Sequence, residues 1–214
     1  MSAIRQLLDN NRKWAAETSA KTPGFFSTLA EQQSPDYLWI GCSDSRVPAN
    51  QIVGLIPGQI FVHRNVANVV VHTDLNCLSV MQFAVDALLV KHILVVGHYG
   101  CGGVITALQG RRLGLIDNWL RHVQDVRQKH AHLLEEAGDE QAQANRLCEL
   151  NVIEQVMNVC ETTIVQDAWL RGQELKVHGL VYALQDGLLR DLHVSVAGLQ
   201  DIKPSYQKAL ARLP

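Results

Sequence analysis

The sequence predicts an α/β fold: a mostly parallel central sheet flanked by helices, with an antiparallel edge strand and an N-terminal helical arm. Short apolar runs alternate with longer stretches of helical period, the pattern of strands joined by crossover helices. The runs are bounded by glycine, proline and aspartate, which end elements. The last two runs are joined across Gln185-Asp186-Gly187, where Asp-Gly signals a hairpin and so reverses the final strand.

Residues 3–16 have an amphipathic helical pattern, with Ile4, Leu7, Leu8 and Trp14 on one side. Thr22-Pro23-Gly24 breaks it, and a short helix follows from about Phe25 to Gln32. Tyr37 to Gly41 is a buried strand ending at Cys42. Pro48, Gly54, Pro57 and Gly58 mark an irregular loop, and Gln59 to Arg64 is a second strand. Thr73 or Asp74 caps a helix running to about Val90, whose apolar face holds Leu75, Leu78, Met81, Val85 and Leu88. His92 to Gly97 is the most continuous apolar run and reads as the third strand. A helix follows the Gly100, Gly102 and Gly103 cluster; 117–137 and 140–171 are helical, the latter as more than one helix. Lys176 to Leu184 and Leu188 to Val196 complete the sheet.

The 214 residues suit one compact domain, and 47% hydrophobic residues suffice for a sizeable core. A net charge of −2 lacks the basic excess of a nucleic-acid binder. No window approaches the roughly 20 apolar residues that span a membrane. The N-terminus has no secretory pattern, so a cytoplasmic protein is expected. Five widely spaced cysteines, Cys42, Cys77, Cys101, Cys148 and Cys160, argue against a disulfide framework. In a reducing compartment each is a core residue, a reactive thiol or a metal ligand.

Ligands bind α/β sheets at the carboxyl ends of strands. Cys42 directly follows the first strand, and His98 and Cys101 follow the third. Two thiolates and an imidazole suit Zn²⁺ and leave one tetrahedral position open, as in a catalytic site. Spacing alone leaves open that Cys42 and Cys101 are core residues and His98 an ordinary loop histidine, since free cysteine is among the most buried residue types. The glycine loop could also cradle a phosphate at a helix N-terminus. It matches neither G-x-G-x-x-G nor a Walker motif with its lysine. Cys77, Cys148 and Cys160 fall in helical patterns and read as core. His63, His72, His92, His122, His130, His132, His178 and His193 have no ligand spacing that competes with His98, and His122, His130 and His132 read as solvated on a polar helix.

Cys42-Ser43-Asp44-Ser45-Arg46 resembles the C-x-D-S-R motif of β-class carbonic anhydrases, and Gly97-His98-Tyr99-Gly100-Cys101-Gly102-Gly103 resembles their G-H-x-x-C-G-G motif. The segment 63–68 is similar to the family's intervening R-N-A/V-A/G-N stretch. The resemblance implies zinc-dependent, reversible hydration of carbon dioxide to bicarbonate, by attack of zinc-bound hydroxide. It implies Cys42, His98 and Cys101 as ligands. Asp44 and Arg46 become a dyad in which Arg46 grips the carboxylate; without that grip Asp44 becomes the fourth zinc ligand. Two thiolates make zinc a weaker acid than three imidazoles do, so activity should rise with pH.

In some bacterial members bicarbonate binds a separate pocket and favours the closed, aspartate-capped state. Trp39, Arg64 and Tyr182 stand at similar positions here and offer an anion a charge and N–H and O–H donors. Taken singly, Trp39 and Tyr182 read equally as core aromatics and Arg64 as half of an ion pair. The resemblance also implies an apolar substrate pocket of Phe61, Val66, Phe83 and Gly102, with Gln33 reaching in from a partner subunit. Asn50 stands where many relatives carry glutamate, and Phe83 where tyrosine is common. The family further implies that 1–34, within a single 1–214 domain, packs on a neighbour in a homodimer or homotetramer. The alternatives are a carbon disulfide or carbonyl sulfide hydrolase on the same scaffold, a non-catalytic zinc or thiol module, and a nucleotide binder.

Overall fold

The computed structural model describes residues 2–31, 34–44, 46 and 48–213. The chain divides into two compact units, Met1–Ser34 and Pro35–Pro214. The first is helical: α1 (Ala3–Lys21) and α2 (Phe25–Glu31). Ser2 caps α1, its hydroxyl accepting from the Arg5 amide, which supplies one of the partners a helix start lacks. Trp14 meets Phe26 edge to face, with ring centroids 5.4 Å apart. Ile4, Leu7, Leu8 and Trp14 are each more than half exposed.

The second unit is built on five strands: β1 (Tyr37–Cys42), β2 (Ile60–Asn65), β3 (His92–His98), β4 (Lys176–Tyr182) and β5 (Leu189–Val196). Their order is β2-β1-β3-β4-β5, parallel except for the antiparallel β4–β5 edge pair. Side chains alternate between faces. One set, including Leu38, Ile40, Ile93, Val95, Val177 and Val181, enters the main core. The chain leaves β1 in one direction to make β2 and returns on the other side to make β3. The carboxyl ends of β1 and β3 therefore flank the topological switch point, where open sheets of this kind bind ligands.

The predicted helices are present with adjusted ends. The stretch from Asp74 is α4 (Leu75–Gln82), which widens into a π-helical turn over Phe83–Ala87; the Leu88 amide donates to the Phe83 carbonyl. Then follow α5 (Gly102–Gln109), α6 (Ile116–Lys129), α7 (Ala131–Glu136), α8 (Glu140–Cys160) and α9 (Thr163–Leu170). Two helices lie outside the sequence expectations: α3 (Ala49–Val53), inside the segment read as irregular, and α10 (Ile202–Leu210) at the C-terminus. Helix α8 is buried on nearly every side, as expected of the helix filling the centre of a layer. It comes so close to β3 that a Cβ at Gly97 would stand 2.6 Å from Val152 Cγ2. Cys77, Cys148 and Cys160 are buried core residues.

His130 corrects one expectation. It is 3% exposed, not solvated, because the break between α6 and α7 turns it inward onto α8. Its Nε2 lies 2.7 Å from Glu154 Oε1. Lys129 Nζ donates to Glu154 Oε2 at 2.8 Å, and the Tyr206 hydroxyl to Oε1 at 2.6 Å. Burial disfavours charge on Glu154, but the bonds from His130, Lys129 and Tyr206 outweigh it and bring its pKa down to about 2. A carboxyl depressed in the folded state stabilises the fold above its unfolded pKa, near 4.3, and loses that contribution as pH falls towards the folded value. Between about pH 5 and 2 the protein is expected to lose on the order of 3 kcal/mol through this group. Denaturant unfolding of the native chain and Glu154→Gln across that range checks it: equal acid losses in both would contradict the assignment.

Candidate metal centre

Three potential ligands meet at the switch point. One ligand atom from each of Cys42, His98 and Cys101 lies within 4.8 Å of the others, and all three residues are buried. Cys42 is the last residue of β1 and His98 the last of β3. Gly100, at φ 70°, takes the left-handed turn that brings Cys101 back beside His98. Among the described residues, nothing stands within 4 Å of a Cβ built on Gly102, at the start of α5.

The donor set fits zinc. Two Zn–S bonds of about 2.3 Å at the tetrahedral angle place sulfurs about 3.8 Å apart; Cys42 Sγ and Cys101 Sγ are 3.7 Å apart. His98 Nδ1 lies 3.1 Å from the Tyr99 carbonyl oxygen, which puts the proton on Nδ1 and leaves the Nε2 lone pair free to ligate. That Nε2 is buried with no hydrogen-bond partner among the described residues, an arrangement that costs stability unless something fills it. The sulfurs are unequal. Hydrogen bonding from Cys101 overcomes burial and lowers the Cys42 pKa, helped by the proximity of the His98 ring and by the Asp44 and Ala67 amides. Cys101 is raised by its bond to Cys42 and by burial. Burial opposes charge on His98, but Cys42 and the Tyr99 carbonyl outweigh it and raise its pKa.

Among the described residues, two amides face the Cys42 sulfur: Asp44 N at 3.4 Å and Ala67 N at 3.3 Å. Arg46 Nη2 reaches Asp44 Oδ2 at 3.3 Å, and both side chains are exposed. The pair lacks the second parallel bond of a bidentate grip, and at this length and exposure it is weak. The Asp44 carboxylate is not among the clustered ligand atoms.

The other predicted residues fall into two groups. Trp39, Arg64 and Tyr182 share one face of the sheet. Arg64 is in register with Gly41, and Tyr182 with His98; Trp39 and Tyr182 belong to the same buried cluster. The Trp39 indole lies over Gly41, where a Cβ would stand 2.4 Å from Nε1, and that buried N–H has no partner among the described residues. Of the expected pocket, Gln33 lies outside the described residues. Val66 stands beside Gly103 near the metal cluster. Phe61 and Phe83 pair with centroids 5.9 Å apart, but Phe61 is opposite Leu38, roughly 13 Å back along the strand from the level of Cys42. Within one chain these two phenylalanines are not brought to the cluster.

Sequence reading missed the polar ladder on α8. Asn151 and Gln155 are 0% and 1% exposed, and with Asn158 they bond the backbone of residues 67–70. The signal was present: three amide side chains at i, i+4 and i+7 interleaved with Val152, Ile153, Val156 and Val159. A second group, His63, Asp74 and Cys77, also lies within 4.8 Å. Its members have other work: Asp74 caps α4 and Asn65 Nδ2 bonds His63 Nε2. Burial, with Asp74 nearby, pushes the Cys77 thiol up to about 12.

Comparison with known proteins agrees with this geometry. A carbonic anhydrase family profile matches residues 37–189. A carbonic anhydrase of Emericella nidulans is 48% identical over 202 residues, covering 94% of this chain and 89% of that protein. The structure of the Coccomyxa β-carbonic anhydrase in complex with acetazolamide superposes with a TM-score of 0.89 at 40% identity, covering 100% of both chains. One of two tetrameric β-carbonic anhydrases from the ascomycete Sordaria macrospora gives 0.84 at 39% identity, covering 91% of this chain and 98% of that one. The chain belongs to the β-class carbonic anhydrases.

Proposed function

We propose that this enzyme hydrates carbon dioxide reversibly to bicarbonate and a proton at a zinc ion held by Cys42, His98 and Cys101. The observation that carries the reading is the 3.7 Å sulfur pair facing the unpaired Nε2 of His98. Zinc at these donors supplies a Lewis acid that lowers the pKa of a coordinated water towards neutrality. Asp44, held off by Arg46, would accept a hydrogen bond from the reacting water and orient its oxygen for attack on carbon dioxide. Released by Arg46, the same carboxylate would be free to bind the metal itself. Stopped-flow hydration is expected to rise between about pH 6.5 and 9. Sulfide release from carbon disulfide without carbon dioxide turnover would favour the hydrolase alternative.

Bicarbonate inhibition is proposed at Trp39, Arg64 and Tyr182. The orphaned Trp39 N–H, on the face that carries Arg64, supports it, since a buried donor without a partner is costly unless a ligand supplies an acceptor. Replacing Arg64 by Ala removes a charge-assisted contact and is expected to weaken bicarbonate inhibition about tenfold or more. Inhibition of unchanged strength and cooperativity in this variant would count against the site.

The active form is proposed to be a homodimer or a homotetramer. A tetrameric relative and the exposed apolar face of α1 support it. A second copy would also supply the pocket's Phe61 and Phe83, distant from the cluster within one chain, and Gln33. The described residues include no helix long and apolar enough to cross a membrane, and a cytoplasmic location is proposed.

A further inference from the structure

We propose that Trp119 and Asn151 are positioning residues that set the charge on the Cys42 sulfur by holding the Ala67 amide against it. The inference rests on the zinc reading above.

Ala67 and Asn68 are consecutive non-glycine residues in the left-handed region, at φ 63° and 46°. Such backbone persists only where its surroundings over-determine it. Here the surroundings are side chains. Trp119 Nε1, from α6, donates to the Val66 carbonyl at 2.8 Å. The same peptide unit carries the Ala67 N–H, which donates to Cys42 Sγ at 3.3 Å. An indole, a peptide and a sulfur therefore form one relay, and a bond accepted at the carbonyl end polarises the N–H end. Asn151 Nδ2, from α8, donates to the Ala67 carbonyl at 2.9 Å and fixes the following peptide unit. Ala67 is thus held from both sides.

The remaining bonds brace this turn. Asn151 Oδ1 accepts from Gln155 Nε2 at 3.1 Å, and Gln155 Oε1 accepts from the Val70 amide at 2.8 Å. Asn65 spans the turn, its Oδ1 accepting from the Val69 amide at 2.8 Å and its Nδ2 donating to the Val69 carbonyl at 2.7 Å. None of these side chains reaches the sulfur. Their common effect is to fix a donor on it, and a donor on a thiolate draws charge away from whatever metal the thiolate binds, as outer-shell partners of metal ligands do.

The test is cobalt substitution. Cobalt(II) takes the place of zinc in the native protein, Trp119→Phe and Asn151→Leu, and the thiolate-to-cobalt charge-transfer band is recorded with the thermal midpoint of each. Trp119→Phe keeps the ring and removes only its N–H, so it guards against the case in which Asn151→Leu fails to fold. Both variants are expected to shift the band to lower energy, because a sulfur that loses a donor gives up its electrons more easily, and to lose about tenfold or more in hydration rate. An unmoved band in folded Trp119→Phe overturns the proposal, even if its thermal midpoint falls. Absence of a thiolate band in the native cobalt protein overturns the zinc reading itself, a separate failure.

Discussion

His98→Ala is expected to purify with little or no zinc and to hydrate carbon dioxide at the background rate. The substitution removes the one nitrogen donor of a three-donor set and leaves two sulfurs 3.7 Å apart. Two thiolates crowded in a buried site repel each other, so one retains its proton. Without the metal, water has its ordinary pKa near 15.7 in place of a value near 7, and the nucleophile is lost at neutral pH. A fall of at least about 10³-fold is expected, and stripping the native protein with a chelator should reproduce it, with zinc restoring the rate. Measured zinc content separates this from simple unfolding: a folded, zinc-replete His98→Ala with near-native activity would remove His98 from the site.

The second large effect is expected at Arg46. Asp44 lies two residues from Cys42, and its own amide faces the Cys42 sulfur, so its carboxylate is tethered within reach of the cluster. A single 3.3 Å contact from Arg46 opposes that approach. The contact is long and exposed, hence easily broken, which suits a carboxylate proposed to move between two positions. Arg46→Ala removes the restraint, and hydration is expected to fall about 10²-fold with zinc content unchanged. The variant should also surrender zinc to a chelator more slowly than the native protein, because a fourth protein ligand has been added. Low activity with faster zinc loss would indicate damage to the site instead of closure, and activity near the native level would deny the dyad its role.

The sheet was legible in the sequence because its strands are local apolar runs; Cys42, His98 and Cys101 were candidates that spacing alone left open and that the family resemblance joined, and the fold brings them together. Tyr37 to Gly41 and His92 to Gly97 are apolar runs that only a buried strand accommodates, and the residues that follow them are chemically unusual. What was not legible depends on which face of a helix meets which loop. His130 looked solvated because its neighbours are polar; a break between α6 and α7 turns it onto Glu154. Ala67 offered no signal because its contribution is a backbone amide. Asn151, Gln155 and Asn158 did carry a helical period, but their purpose appears only once α8 is packed against residues 67–70. Helix α3 was hidden by flanking prolines and glycines that also suit a loop.

Cys42, His98 and Cys101 are proposed together to hold one zinc. Zinc content and zinc X-ray absorption on freshly purified protein test it most directly. About one zinc per chain is expected, with two sulfur neighbours near 2.3 Å and light-atom donors completing four-coordination. Metal-free protein after zinc-supplemented preparation, or a zinc with no sulfur neighbour, would contradict it.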